Sequence, residues 1–431
     1  MRIPVFRFAP WQPPVLPDAE CAAPPSWRWS PSLLAAAGTA MAMLLFVLLG
    51  PLVWQQDPSQ QWLSQVSSGP TSGIYARVVG PISTKGAGNV SRLTVLESNT
   101  ERVQLAWPEV VSVERFRLYR AKQHQSGKGL PLWQGRGRSY TDELQLRRQT
   151  YRYTLVDADT GLMLFSTETR PEPAISVFEA QLQGLIPASA TVYPEYLRLP
   201  AHPLGTDALG RDILARLMAG GRSSLFVGIV APLLFISFGA IFGGLAGYIG
   251  GKFDQFAMRS ADFVVALPFL LFMILLRIAF GIGPGEDGIL PLILAMLLLS
   301  WPSSARLIRG QVLALRSQPF IDSARLSGVT TWGIFRRHIF PNVLPVLMVA
   351  FSFAIPQAIF TEAFLSFIGM GVSPPSTSWG AMCNDGIKTL LSHPGQLLWP
   401  AAMISISVLA FNILGDALRD TADKRSGGVG Q

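Results

Sequence analysis

Charge is scarce in this chain. Asp, Glu, Lys and Arg make up 14% of its 431 residues, where a soluble domain carries roughly a quarter. Cysteine is rarer still. Cys21 and Cys383 are too few for a disulfide framework, and the topology reached below puts them on opposite sides of a membrane. The four histidines, His124, His202, His338 and His393, lack metal-ligand spacing, so no metal site and no catalytic constellation is expected. A Gly-x-x-x-x-Gly-Lys-Ser/Thr phosphate loop is missing, which excludes ATP hydrolysis by this chain. No internal repeat is visible, which argues against a carrier built from inverted halves. What is abundant is apolar sequence: 49% hydrophobic residues and a mean hydropathy of +0.34. These residues are bunched instead of spread at helical or strand period, which points to a bilayer as solvent. The net charge of +8 comes from basic residues flanking the apolar runs. Phospholipid headgroups and loop orientation account for it, and nucleic acid is not expected as a partner.

Residues 1–32 are rich in proline and tryptophan and form a cytoplasmic tail without helical period. Residues 33–54 contain no charge and are long enough to cross a core of roughly 30 Å as a first, retained helix; a cleaved signal peptide would be shorter and start earlier. Residues 55–200 form a polar insert, β-rich near 90–175. Strands are expected over 90–97, 101–107, 114–121, 150–157 and 162–167, with Asp159-Thr160-Gly161 as one of the turns. The order Val103-x-Leu105-x-Trp107, Phe116-x-Leu118-Tyr119 and Tyr151-x-Tyr153 resembles a fibronectin type III sandwich, with an irregular β-rich loop domain as the alternative. Five further spans are expected over 225–248, 263–282, 289–305, 343–368 and 397–414, interrupted only by Arg277 and Glu362. The fold class is therefore an all-α polytopic membrane protein of six transmembrane helices with a β-rich insert, since lipid-exposed backbone must satisfy its own hydrogen bonds. The core covers 201–420, and 421–431 form a C-terminal tail.

Loop charges set the orientation. Arg2, Arg7 and Arg28, Lys252 and Arg259, Arg306 to Arg337, and Arg419 to Arg425 fall on one side. The opposite short loops carry only Lys388. Both termini are thus expected in the cytoplasm and the insert outside.

The segment 317–341 lies between the fourth and fifth spans. Pro319 suits the first turn of a helix that ends at Gly328. Thr330 or Thr331 can cap a second helix with Trp332, Phe335 and Ile339 on one face. An amphipathic juxtamembrane turn would be the plain interpretation. The pattern of Asp322, Ser323, Ala324 and Gly328, followed by His338-Ile339-Phe340-Pro341, instead resembles the Glu-Ala-Ala loop of bacterial ABC importer permeases. Asp322 stands for the usual Glu and Ser323 for the usual Ala. The final run is similar to the His-Ile-Leu-Pro form of oligopeptide permeases.

A second stretch, His202, Gly205, Thr206, Asp207, Gly210, Arg211 and Asp212, is similar to the outer-face motif of the C-type peptide permease subunit. It lacks the spacing of a calcium loop. Asp207, Arg211 and Asp212 are expected to fix a tight turn and a periplasmic interfacial helix. The resemblance runs from His202 to Asp420 and takes in Lys252 and Asp254, the run from Phe364 to Gly369, Ser378 to Gly380, and Gly415 to Asp420. The long insert departs from it.

It implies a type I permease fold in the bacterial inner membrane and a binding-protein-dependent peptide transport system. A second, homologous permease subunit would complete the membrane core. Two cytoplasmic ATPase subunits carrying ATP and Mg would dock on the coupling loop, and a periplasmic substrate-binding protein would deliver oligopeptides or dipeptides. Nickel chelates and antimicrobial peptides are alternative substrates of the class. This chain would carry no cofactor and would be a transport subunit, not an enzyme.

Three further features bear on mechanism. Gly239, Gly243 and Gly247 recur every four residues and let helices approach closely. Glu362 and Pro356 are candidates for pore or gate, with Arg277 and Pro345 behind them. Two rivals remain at this stage: an ATPase-independent channel or carrier, and an anchored adhesion protein, which would need only one span.

Overall fold

The first uncharged stretch forms α1, Pro31–Val53. Pro51 lies inside it. Proline has no N–H, so the Val47 carbonyl loses its helical partner; Arg222 Nε donates to that carbonyl instead, at 3.2 Å. The computed structural model describes residues 31–80, 90–111, 113–123, 125–144, 146–190, 192–281, 288–374 and 376–427. Most of the expected N-terminal tail, with Cys21, lies outside them, as do His124, residues 282–287 and the last four residues.

After α1 the chain crosses the end of the bundle and enters the insert. Its strands are β1 (Ile74–Val79), β2 (Thr94–Ser98), β3 (Val103–Ala106), β4 (Phe116–Lys122), β5 (Leu130–Gly135), β6 (Ser139–Asp142), β7 (Tyr151–Asp157), β8 (Met163–Thr169) and β9 (Ala174–Ser176). Helix α2 (Val177–Leu182) and strand β10 (Tyr196–Leu199) close it. The five expected strands correspond to β2, β3, β4, β7 and β8. The sequence did not reveal β1, β5, β6, β9 or β10.

Two sheets, β2-β3-β6 and β5-β4-β7-β8, enclose a shared apolar cluster of Val103, Leu105, Trp107, Phe116, Leu118, Tyr153 and Leu155. Alternation explains it: the inward positions of β3 and β4 are apolar and their neighbours polar. Buried Asp142 ties the sheets together, accepting from Tyr153 Oη and Arg120 Nη1, each at 2.7 Å. A third sheet, β10-β1-β9, forms the base. Its two outer connections to the core, β1 and β10, run antiparallel with Ile74 opposite Leu199.

The core consists of α3 (Ile213–Ile249), α4 (Gly251–Val265), α5 (Phe269–Ala279), α6 (Ile289–Arg316), α7 (Pro319–Leu326), α8 (Thr331–Ile334), a π-helical turn (Phe335–Ile339), α9 (Phe340–Phe367), α10 (Trp379–Ile387) and α11 (Gly395–Gly427). Among the described residues five helices can cross a membrane by length and composition: α1, α3, α6, α9 with its approach from Thr331, and α11. The expected span at 263–282 is not one straight helix. Its first residues end α4, the chain bends by 87°, and α5 starts anew. Pro268 is the cause: it offers no N–H to continue α4 and holds Leu267 away from helical geometry. Alone, the 11 residues of α5 would extend only about 16 Å.

Candidate functional site

The loop end of the bundle carries a compact knob. Pro319 opens α7, and Ile321 anchors it, fully buried beside Ile308, Val312, Ile334, Ile339 and Val343. Gly328 ends it with φ of +78°. There its N–H donates to Arg325 O at 3.0 Å and the Val329 N–H to Ala324 O at 3.1 Å. This pair of backward bonds satisfies carbonyls that a helix end leaves free, and it needs the left-handed conformation that glycine accepts most readily. Val329 and Ala324 pack against the same cluster.

Thr330 is the cap of the next turn, accepting from Gly333 N at 3.2 Å. The expected face of Trp332, Phe335 and Ile339 is corrected by the π-turn. A wider turn places Ile334 and Ile339, five apart, on the buried side. Trp332 stacks on Phe335, centroids 5.7 Å apart, but stays exposed. Asp322 and Arg325 pair at the surface at 3.2 Å, and Ser323 Oγ donates to Pro319 O. His338 tilts against Phe320 and accepts, through its carbonyl, from Asn342 Nδ2 at 2.6 Å. Pro341 sits in the first turn of α9. Phe320, Leu326 and Trp332 all present apolar surface to the outside, Leu326 almost completely.

The opposite end holds a clasp built from the second motif. Asp212 caps α3, accepting from Ala215 N at 2.6 Å, from Trp54 Nε1 at 3.2 Å and from buried His202 Nδ1 at 2.7 Å. Asp207 closes its own turn by accepting from Leu209 N and Arg211 N, and it pairs with Arg211 Nε and Arg216 Nη1. Both arginines also reach Asp385 of α10, at 3.2 and 3.1 Å. Thr206 Oγ1 donates to Gln65 O and accepts from Ser68 N.

Gly205 and Gly210 have φ of +81° and +76°, and a Cβ on either would strike the backbone of Ser68 or Trp62 at 2.5 or 2.1 Å. These seven residues therefore bind the chain leaving α1 to α3, α10 and α11. The expected interfacial helix is absent from the described residues: Asp212 caps the long α3 directly. Ser378 caps α10 and Trp379 is fully buried, donating to Leu217 O at 2.9 Å.

Between the two ends, Gly239, Gly243 and Gly247 line the contact of α3 with α6. Added Cβ atoms would meet Ser304 Oγ at 2.1 Å, Ala305 O at 2.1 Å and Arg309 O at 2.9 Å. A cavity of about 760 Å³ opens beside this seam, walled by α3, α6, α9 and the α4–α5 bend. Ser300, Ser303, Gln357 and Thr361 give it polar groups among apolar neighbours such as Phe235, Phe269 and Phe353.

Glu362 does not line that cavity. It is fully buried on another side of α9, in helix and not in a turn, accepting from Ser224 Oγ at 2.8 Å and Ser366 Oγ at 2.7 Å. Those hydroxyls accept in turn from Trp379 N and Val372 N. Pro356 is buried too, and α9 runs through it and through Pro345 without a break. Arg277 donates to Gly369 O at 3.0 Å, closing the end of α9. Gln357 was not among the expected site residues; an amide four residues from a threonine within an apolar run was its signal.

Long apolar helices, a helical knob between two of them and a polar clasp at the far end define a polytopic membrane protein whose core is rigidly linked from end to end. Residues 239–427 match the family of the binding-protein-dependent transport system inner membrane component. The dipeptide transport system permease protein of Bacillus subtilis is 42% identical over 225 residues, 52% of this chain and 69% of that protein. The oligopeptide transport system permease protein of the same organism is 41% identical over 224 residues, covering 52% and 72%. The nickel transport system permease protein of Escherichia coli is 40% identical over 222 residues, covering 52% and 78%. The chain belongs to this family of transport-system membrane components.

Proposed function

We propose that this protein is one of two permease subunits of an ATP-driven bacterial importer of oligopeptides or dipeptides. The observation that carries the reading is the knob of 317–341. It is seated on the membrane helices through Ile321, Ile334 and Ile339 and leaves Phe320, Leu326 and Trp332 outside. Such a patch fits a groove on a cytoplasmic ATPase, which binds ATP and Mg. Closure of two ATPases would move the two knobs, and the rigid α7–α9 connection would convey that movement to the cavity beside Gln357 and Thr361. The broken α4–α5 pair would serve as the third of six crossings, with both termini inside. A nonhelical stretch at membrane depth is tolerated where it lines a cavity. Peptide as substrate follows the names of the relatives; the nickel relative marks the alternative of a chelate.

For the insert we infer a fibronectin type III-like sandwich. The sheet orders β2-β3-β6 and β5-β4-β7-β8 support it. So does Tyr151 at the start of β7, whose hydroxyl accepts from Arg147 N at 3.0 Å, a corner typical of such sandwiches. The insert and clasp would face the periplasm and the substrate-binding protein.

The test is purification of the tagged chain in mild detergent, with uptake of labelled peptide and of chelated nickel measured in cells. Recovery of a second six-span permease and ATPase subunits, with peptide uptake, is the expected result. Recovery of the chain alone, under conditions that keep other membrane complexes intact, would favour a channel or carrier working without ATPases.

A further inference from the structure

A second, apolar groove of about 500 Å³ lies between α1, α3 and the start of α6. Leu44, Val47 and Leu48 form one wall, Phe226, Ile229 and Val230 the other, and Ile289 the floor. Arg222 stands at its upper end. We propose that this groove holds an anionic phospholipid, one acyl chain against α3 and the phosphate on Arg222. The proposal rests on the reading of the chain as a membrane-spanning permease with its insert outside.

Three observations carry it. First, depth: residues 223–249 of α3 contain no charge, and 27 residues extend about 40 Å, the thickness of a bilayer with its headgroup regions. Arg222 therefore lies at headgroup level, and Val230, eight residues on, lies about 12 Å below it, within the hydrocarbon.

Second, the guanidinium is held in place. Its Nε donates to the Val47 carbonyl that Pro51 leaves free, and Nη2 reaches Leu48 O at 3.5 Å. Third, no carboxylate pairs with Arg222 among the described residues, and Nη1 has no partner there. Arginines 211, 216, 306 and 309 all have acidic partners. A fixed cation without a counter-ion above an apolar groove matches a phosphate that carries an acyl chain. An uncharged transmembrane helix laid in the same groove would leave that cation unneutralised.

The test uses the full chain in mild detergent, with native mass spectrometry after addition of phosphatidylglycerol or phosphatidylcholine. Phosphatidylglycerol should be retained in preference. Arg222→Gln should lower its retention about tenfold, the loss of one charge-assisted phosphate contact, and Arg222→Lys should keep part of it. Val230→Trp, which fills the groove and leaves the charge, should lower retention of both lipids. Glycerol phosphate should not compete, because it lacks the chain. Equal retention by wild type, Arg222→Gln and Val230→Trp would overturn the proposal, and so would competition by glycerol phosphate. A purified two-permease complex that excludes the lipid from this groove would overturn it too. Lipid retention is read on the chain alone, so failure here leaves the co-purification test of the transport reading untouched.

Discussion

Gly328 separates two explanations for a glycine in the knob. A Cβ built there meets nothing within 4 Å, yet φ is +78°. Within this chain the requirement is therefore conformational and not steric. An L-residue held left-handed costs about 1–2 kcal/mol, with β-branched side chains at the upper end. Asparagine tolerates the conformation far better. Gly328→Val should thus weaken the knob by about 2 kcal/mol, enough to raise its open population roughly thirtyfold. Gly328→Ala should cost about 1 kcal/mol and Gly328→Asn a few tenths.

The local reading is the rate of tryptic cleavage after Arg325, which is exposed but held in α7. It should rise in the order wild type, Asn, Ala, Val. Peptide uptake should fall in the same order. Wild-type protection and uptake in Gly328→Val would refute the backbone argument. An Asn variant as defective as Val in uptake, but fully protected, would show that a partner needs the empty volume instead.

At the α3–α6 seam, Gly243→Leu should cost roughly 3 kcal/mol by forcing the helices apart, seen as a lower melting temperature in detergent. Gly310→Ala on α6, where nothing lies within 4 Å of the added Cβ, should be neutral or stabilising by up to about 1 kcal/mol. Glu101 gives the insert a pH dependence: burial, then the neighbouring Glu179 carboxylate, push it up to about 7 from 4.5. A folded value above the unfolded one means that the native state holds the extra proton. Stability is then fullest below about pH 4.5, falls as pH rises to about 7 and is flat above. With the group partly open to solvent the size is about 1–2 kcal/mol. Hydrogen exchange of 94–169 should show this slope and lose it in Glu101→Gln. Replacing 74–199 by a two-residue turn should leave the core monodisperse, because Thr71 and His202 still pair. Removing only 75–175 strips β1 from β10 and uncovers Leu199 and Ile186, and should aggregate.

Much of this molecule was legible because its residues repeat a local physical rule. Apolar runs long enough for a bilayer became α1, α3, α6, α9 and α11. Pro319, Gly328 and Thr330 marked the ends of the knob, since each acts through its own backbone. What stayed hidden depended on partners distant in sequence. β1 and β10 are short and show little alternation; they are strands because they pair with each other across more than a hundred residues, and β1 also pairs with the distant β9. The break at Pro268 was overlooked because hydropathy continues through it. The π-turn at Phe335–Ile339 shifted the buried face by one position, which helical periodicity alone does not foresee. Glu362 is a buried acceptor for Ser224, distant in sequence, and for Ser366, one helical turn on; the first of these contacts could not be read along the chain.

The clasp explains how the helical core carries so large an insert. Only two strands pass between insert and bundle, and they are hydrogen-bonded to each other from Gly-flanked Ile74 and Leu199 down to Thr71 and His202, whose N–H and carbonyl groups exchange bonds of 2.8 and 2.9 Å. Beneath that ladder, Gln65, Ser67 and Ser68 are bonded to Thr206, Asp207 and Gln396, all residues of the core. The last link before the insert is thus a closed loop fixed to the bundle at its base. Thr71 and His202 are one link between sandwich and bundle, with His202 resting on Asp212, the cap of α3; Arg147 Nη1 beside His393 Nε2, at 2.7 Å, is another. α3 in turn carries the glycine seam against α6, whose far end leads directly into the knob. An ornament on a flexible tether would need none of these bonds; the insert is joined to the bundle at the cap of α3, a helix that also walls the cavity.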